Sequence, residues 1–172
     1  MSKIKTVGIV GTGVIGTGWI IRNLAHNKIV HAYDQNKNLK NYVLKEIKRT
    51  SKSIKKLFGK KILIKNLKFF NSLEKALSNV DFVQESVLEN YKVKTDLIQK
   101  ISKYVKSNVI ISSSSSGLLP SKIFSKSKNP QRGIIGHPFN PAYLLPAVEI
   151  VPGKKTTKKF LLDANKYTNQ SQ

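Results

Sequence analysis

The stretch KIKTVGIVGTGVIGTGW near the N-terminus restricts the possible folds more than any other part of the chain. Residues 3–11, KIKTVGIVG, form a β-branched apolar run ending in glycine, which predicts a buried strand. Gly11, Gly13 and Gly16 then set out a G-x-G-x-x-G pattern at the start of VIGTGWIIRNLAHN (14–27), whose apolar spacing is helical. KIVHAYD (28–34) reads as a second strand and ends in Asp34, 18 residues beyond Gly16. A glycine pattern alone says little, but strand, glycine loop, helix, strand and terminal acid in this order predict a dinucleotide site. Gly11 allows the tight turn, Gly13 lets the backbone approach a pyrophosphate, and Gly16 lets helix and strand pack closely. The helix N-terminus at Val14 and Ile15 offers unpaired N–H groups to the phosphates. A carboxylate at position 34 suits two ribose hydroxyls and repels a 2′-phosphate, so the expected cofactor is NAD rather than NADP. The competing reading is a glycine turn that serves packing only, with Asp34 as a strand-end cap.

The same alternation continues along the chain. Residues 38–58 carry helical apolar spacing, 66–70 a strand, and 72–79 a short helix capped by Ser72. Strands are expected at 80–86 and 108–114, with a helix at 90–105 between them. A short helix begins at Pro120, GIIGH and AVEIV give two further strands, and 156–169 is helical. Strands alternating with helices predict an α/β fold, a Rossmann-type doubly wound and mostly parallel sheet with helices on both faces. A length of 172 residues fits one domain, with no internal repeat or long linker.

The net charge of +22 raises the question of nucleic acid. Of 31 basic residues only Arg22, Arg49 and Arg132 are arginine, and the lysines spread over the whole sequence, densest at 45–68. Base and phosphate readers favour arginine's planar fork, so the expectation is a solvated lysine surface and no nucleic-acid partner. Cysteine is absent, which removes thiol chemistry and fits a reducing compartment. The N-terminal apolar run is too short for a membrane span and lacks a signal-peptide cleavage pattern. A cytoplasmic protein with no membrane partner is expected.

The remaining chemistry lies in ISSSSSGLLPS (111–121) and GHPFNPAYLLPAVEIVPG (136–153). A run of five serines would ordinarily be a solvated loop, but this one follows a strand whose carboxyl end opens onto the ligand crevice of such a sheet. His26 and His31 read as structural. His137 differs because Glu149, inside the apolar AVEIV, is costly to bury unless paired, and an imidazole on the preceding strand is the nearest partner. A carboxylate on one ring nitrogen fixes the tautomer and stabilises the imidazolium, which makes a general base. A buried structural His–Glu pair explains the same spacing equally well.

VGIVGTGVIGTGW, FVQESVLENYKVKTDL, IISSSSSGLLPSKI and GHPFNPAYLLPAVEIVPG together resemble the NAD-binding domain of the L-3-hydroxyacyl-CoA dehydrogenase family, over nearly the whole chain and in the same order. SSSSSGLLPS with GHPFNPAYLLP is most similar to the L-carnitine dehydrogenase branch, which neighbours the lambda-crystallin proteins. The resemblance implies oxidation of an L-3-hydroxy acid, with L-carnitine as first substrate and a 3-hydroxyacyl-CoA as the alternative. It implies His137 as catalytic base, Glu149 as its orienting acid and Ser116 as the substrate-hydroxyl ligand, with Ser115 a rival for that role. It further implies that Asn140, Glu89 and Lys94 contact the cofactor, although the last two read by themselves as helix-surface charges. The family continues into a last strand, a P-G-F-x-x-N-R motif and a helical domain that closes the substrate cleft and forms the homodimer. None of these is present in residues 1–172, so an NAD-binding fragment, or one half of a split enzyme with a complementing helical chain, is a further expectation.

Overall fold

The computed structural model describes residues 4–170. Seven strands form one sheet: β1 (Thr6–Val10), β2 (Ile29–Tyr33), β3 (Leu67–Phe70), β4 (Phe82–Glu85), β5 (Ile110–Ser113), β6 (Gly133–Pro138) and β7 (Val148–Pro152). Their order across the sheet is β3-β2-β1-β4-β5-β6-β7. All neighbours are parallel except β6 and β7, which run antiparallel with His137 opposite Glu149. The expected doubly wound α/β architecture is therefore present, with its change of winding direction between β1 and β4.

Strand periodicity decides which helix covers which face. Val7, Ile9, Phe82, Ile110 and Ile134 point to one side. There they meet α1 (Val14–Ala25), α2 (Leu39–Phe58) and α6 (Lys158–Gln170) through Trp19, Leu24, Ile47, Ile54 and Tyr167. Val10, Val83, Ile111 and Ile135 point to the other side. They meet α3 (Leu73–Leu77), α4 (Tyr91–Tyr104) and α5 (Pro120–Ile123) through Leu77, Ile98, Ile101 and Ile123. Ser72 caps α3 by accepting from the Lys75 N–H, and Asn90 caps α4 in the same way from Val93. No helix among the described residues is long and apolar enough to cross a membrane.

Two of the three arginines are spent internally. Arg22 on α1 donates to the Ala142 and Leu145 carbonyls at 2.9 and 2.7 Å, which fastens loop 139–147 onto that helix. Arg132 is buried at the start of β6 and donates to the carbonyls of Lys106 and Ser102, and burial lowers its pKa to about 10.

Burial holds the pKa of both His26 and His31 below the ordinary 6.5. Just below pH 6.5 these rings therefore bind fewer protons in the folded chain than in the unfolded chain. Their contribution to stability is complete above pH 6.5 and is lost as pH falls. Calorimetry is expected to show Tm dropping between pH 7 and 5.5, and a smaller drop in the His26→Gln, His31→Gln double variant.

Candidate cofactor and catalytic site

Gly11 has a positive φ of 89°, and the first turn of α1 lies so close that a Cβ on Gly16 would overlap the Gly11 carbonyl oxygen. Gly13 faces open space, with nothing within 4 Å of where a Cβ would be. It is also the N-cap of α1 and provides no side-chain acceptor, so the first amides of that helix, at Val14 and Ile15, keep their positive potential for an anion. Val14 is exposed and Ile15 half-buried beside the loop.

Asp34, at the end of β2, is tied to this loop. One carboxylate oxygen accepts from the Thr12 N–H at 2.6 Å and from the Thr12 hydroxyl at 3.2 Å; the other accepts from the Asn36 N–H at 2.9 Å. The second oxygen keeps acceptor capacity for a ribose hydroxyl. An open cleft of about 860 Å³ runs from Gly11 and Gly13 past Asp34 to Ser86, Val87 and Leu88. Its size falls within the range of cofactor sites, which is roughly 300–1,000 Å³. The open Gly13, the uncapped helix start and the half-satisfied Asp34 carboxylate fit a dinucleotide. Asp34→Ala is expected to weaken NAD binding about 10- to 100-fold, because a hydrogen bond to a charged group contributes ~1.5–3 kcal/mol. A titration against wild type checks this.

The serine run separates into two sets, one on each side of the sheet. On the α4 side, Glu85 is fully buried. It accepts from Lys94 Nζ at 2.7 Å, Ser113 Oγ at 2.5 Å and the Val87 N–H at 2.6 Å. Lys94 is only 1% exposed, donates also to the Val87 carbonyl, and lies 3.5 Å from Glu89. Glu89 accepts from Ser115 Oγ at 2.5 Å and from the Ser116 and Gly117 N–H groups at 3.0 and 3.1 Å. Burial acts to raise the Glu89 pKa, but these hydrogen bonds and Lys94 outweigh it and hold the carboxyl below the usual range. On the α1 side, Ser114 Oγ meets Trp19 Nε1, Gln84 Nε2 and Ser86 Oγ at 3.3, 2.7 and 2.8 Å.

Ser115 is thus buried and engaged, since its hydroxyl also accepts from the Leu118 N–H at 3.1 Å, whereas Ser116 is exposed. His137, at the carboxyl end of β6, is partly buried with Phe139 edge-on at 6.0 Å between ring centroids. Glu149 stands directly across from it on β7. The expected burial of Glu149 is incorrect. It is exposed, because β7 lies at the end of the sheet and its neighbours Val148 and Ile150 are only half covered. No hydrogen bond joins His137 and Glu149 among the described residues, so their relation is one of cross-strand adjacency. Asn140 is exposed and precedes a cis peptide bond to Pro141.

A doubly wound sheet with a glycine loop at its first β–α turn and an acid at the end of β2 defines a dinucleotide-binding domain. Residues 6–172 match the family described as "3-hydroxyacyl-CoA dehydrogenase, NAD binding domain", and the chain belongs to that family. It is 40% identical over 170 residues to L-carnitine dehydrogenase of Oceanobacillus iheyensis, covering 98% of this chain and 55% of that protein. It is 42% identical over 162 residues to L-carnitine dehydrogenase of Pseudomonas putida, covering 94% and 50%. Among solved structures, 3-hydroxybutyryl-CoA dehydrogenase from Escherichia coli superimposes with a TM-score of 0.90 at 23% identity, over 98% of this chain and 37% of that one. The dehydrogenase part of multifunctional enzyme 1 from C. elegans gives 0.87 at 28% identity, over 98% and 40%. The chain spans about half the length of the curated relatives it matches. NAD is the cofactor of this domain.

Proposed function

We propose that the chain forms the NAD-binding half of a dehydrogenase acting on an L-3-hydroxy acid, with L-carnitine as the first substrate to test. The observation that carries this reading is the register of β6 against β7, which sets His137 opposite Glu149 at the crevice end of the sheet. In this reading residues 1–172 form one cofactor domain, and the relatives' remaining half supplies the helical part that encloses the substrate. When bound, NAD accepts the hydride released from the substrate carbon.

The side chains do the rest. His137 takes the substrate hydroxyl proton on a ring nitrogen, and Glu149 beside it favours the imidazolium that results. Ser116, exposed where Ser115 is committed to Glu89, is free to hold the substrate oxygen. Gly11, Gly13, Val14, Ile15, Gly16 and Asp34 hold the pyrophosphate and adenosine side, and Asn140 meets the nicotinamide side. Glu89 fixes the serine loop from below, and Lys94 acts through Glu89 because its own ammonium is buried. Phe139, half exposed next to His137, is the available aromatic face for a trimethylammonium group. Tyr143, the other aromatic in this loop, packs instead against the core.

NADH formation from L-carnitine and from 3-hydroxybutyryl-CoA, beside a direct NAD titration, tests the proposal. Turnover of L-carnitine supports it, and preference for the thioester moves the assignment to the acyl-CoA substrate. Binding of NAD without turnover supports a second reading: an NAD-binding unit that works with a complementing helical chain. The outer edge of β7 has no strand partner among the described residues and offers such a chain a place to pair.

A further inference from the structure

We infer that Ser86 is an additional cofactor ligand, whose hydroxyl is directed into the cleft to donate to the ribose on the nicotinamide side of NAD. The inference rests on the NAD-binding reading above and follows from counting protons and lone pairs around Ser114. Gln84 is 1% exposed, and its side-chain nitrogen lies 3.1 Å from the Gly136 carbonyl oxygen, which can only accept. That contact fixes the orientation of the amide, so the group 2.7 Å from Ser114 Oγ is the NH2 and it donates. Trp19 Nε1 has no capacity except to donate, and it donates to the same oxygen at 3.3 Å. Ser114 Oγ thereby has both lone pairs occupied.

Its third neighbour, Ser86 Oγ at 2.8 Å, must therefore receive the Ser114 proton, although distance alone leaves the donor undecided. Ser86 Oγ accepts one hydrogen bond and retains its own O–H. No other partner for that hydroxyl exists among the described residues. Ser86 lies directly under the glycine loop: a Cβ on Gly11 would approach the Ser86 carbonyl group at 2.7 Å, and one on Gly16 would touch Ser86 Cβ at 3.5 Å. It also lines the cleft.

Its place in the sheet selects the part of the ligand. Asp34 stands on β2, on one side of the β1 loop, and takes the adenosine-side ribose. Ser86 follows β4, on the opposite side of β1 and next to β5, the direction in which His137 lies. A donor there meets the second ribose. Its hydroxyl oxygens accept hydrogen bonds, and ADP lacks it altogether.

ADP therefore serves as the internal reference. Trp19 is the chain's only tryptophan, and energy transfer from it to bound NADH gives a Kd; competition gives the Kd for ADP. Wild type must bind NADH for the test to bear on Ser86, and failure there refutes the NAD-binding reading itself. In Ser86→Ala the NADH Kd is expected to rise about 3- to 10-fold, the loss of one neutral hydrogen bond, with the ADP Kd unchanged. If both ligands weaken equally, the hydroxyl serves the shared part of the ligand and the ribose assignment is overturned. If neither changes, Ser86 is no ligand. Should Ser86→Ala not fold, Ser86→Cys keeps the shape with a much weaker donor, and the ratio of the two Kd values is read in the same way.

Discussion

Lys94→Met is expected to destabilise the folded chain by about 3–5 kcal/mol, because it leaves the Glu85 carboxylate buried without its counter-ion. Both partners are almost completely enclosed, at 1% and 0% side-chain exposure, so water cannot replace the lysine. For a domain of this size the loss corresponds to a fall in Tm of roughly 6–20 °C. Glu85→Gln in the same background removes the charge, keeps an acceptor for the Val87 N–H, and presents its NH2 to the Ser113 hydroxyl, which can accept in turn. The double variant is therefore expected to melt well above the sum of the single losses. Thermal unfolding of the four proteins decides the matter. A single variant melting within about two degrees of wild type, or strictly additive losses, would show that the pair is not the electrostatic anchor described. The same substitution also frees Glu89 from its nearby cation, so NADH affinity is expected to fall with stability.

His137→Gln is expected to lower kcat by about 10²- to 10⁴-fold in whichever preparation turns over substrate, the chain alone or with a complementing partner. The NADH Kd is expected to stay near the wild-type value, since the glycine loop and Asp34 are untouched. Glu149→Gln is expected to cost much less, because an exposed carboxylate acts on its neighbour through solvent. Steady-state rates and a parallel binding titration separate the two effects. A His137→Gln protein retaining more than a tenth of wild-type turnover would remove the histidine from its proposed role.

The elements of the fold were legible because each carried its own period. Apolar runs marked the strands, and Gly13, Ser72 and Pro120 marked helix starts. Lys94 also left a signal: it lies four and seven residues before Ile98 and Ile101, on the buried face of α4. A lysine at an apolar position predicts an enclosed partner, whereas its charge alone suggested surface. Glu149 misled for the opposite reason. An apolar run implies two covered faces, but nothing in the spacing shows that β7 is antiparallel and terminal, with one side open. The polar half of the site was least legible. Gln84, Glu85 and Ser86 occupy successive positions that face different sides of the sheet, and a run of identical serines carries no apolar mark to show which is which.

That run has a consequence for how β5 keeps its place. Moving a strand by one residue ordinarily exchanges core and solvent faces at a large cost. In β5 a shift by one replaces Ile110 with Ile111 and serine with serine along the run, and changes the residue type only at its two ends, where Ile111 meets Ser112 and Ser116 meets Gly117. The alignment is therefore marked at two places, by Ile111, which is fully buried among Val83, Ile98 and Ile101, and by where the run stops. It stops at Gly117, where Glu89 holds the N–H groups of Ser116 and Gly117 together with the Ser115 hydroxyl. The carboxylate that shapes the serine loop is in this sense also an end-stop, which together with Ile111 keeps the strand in phase.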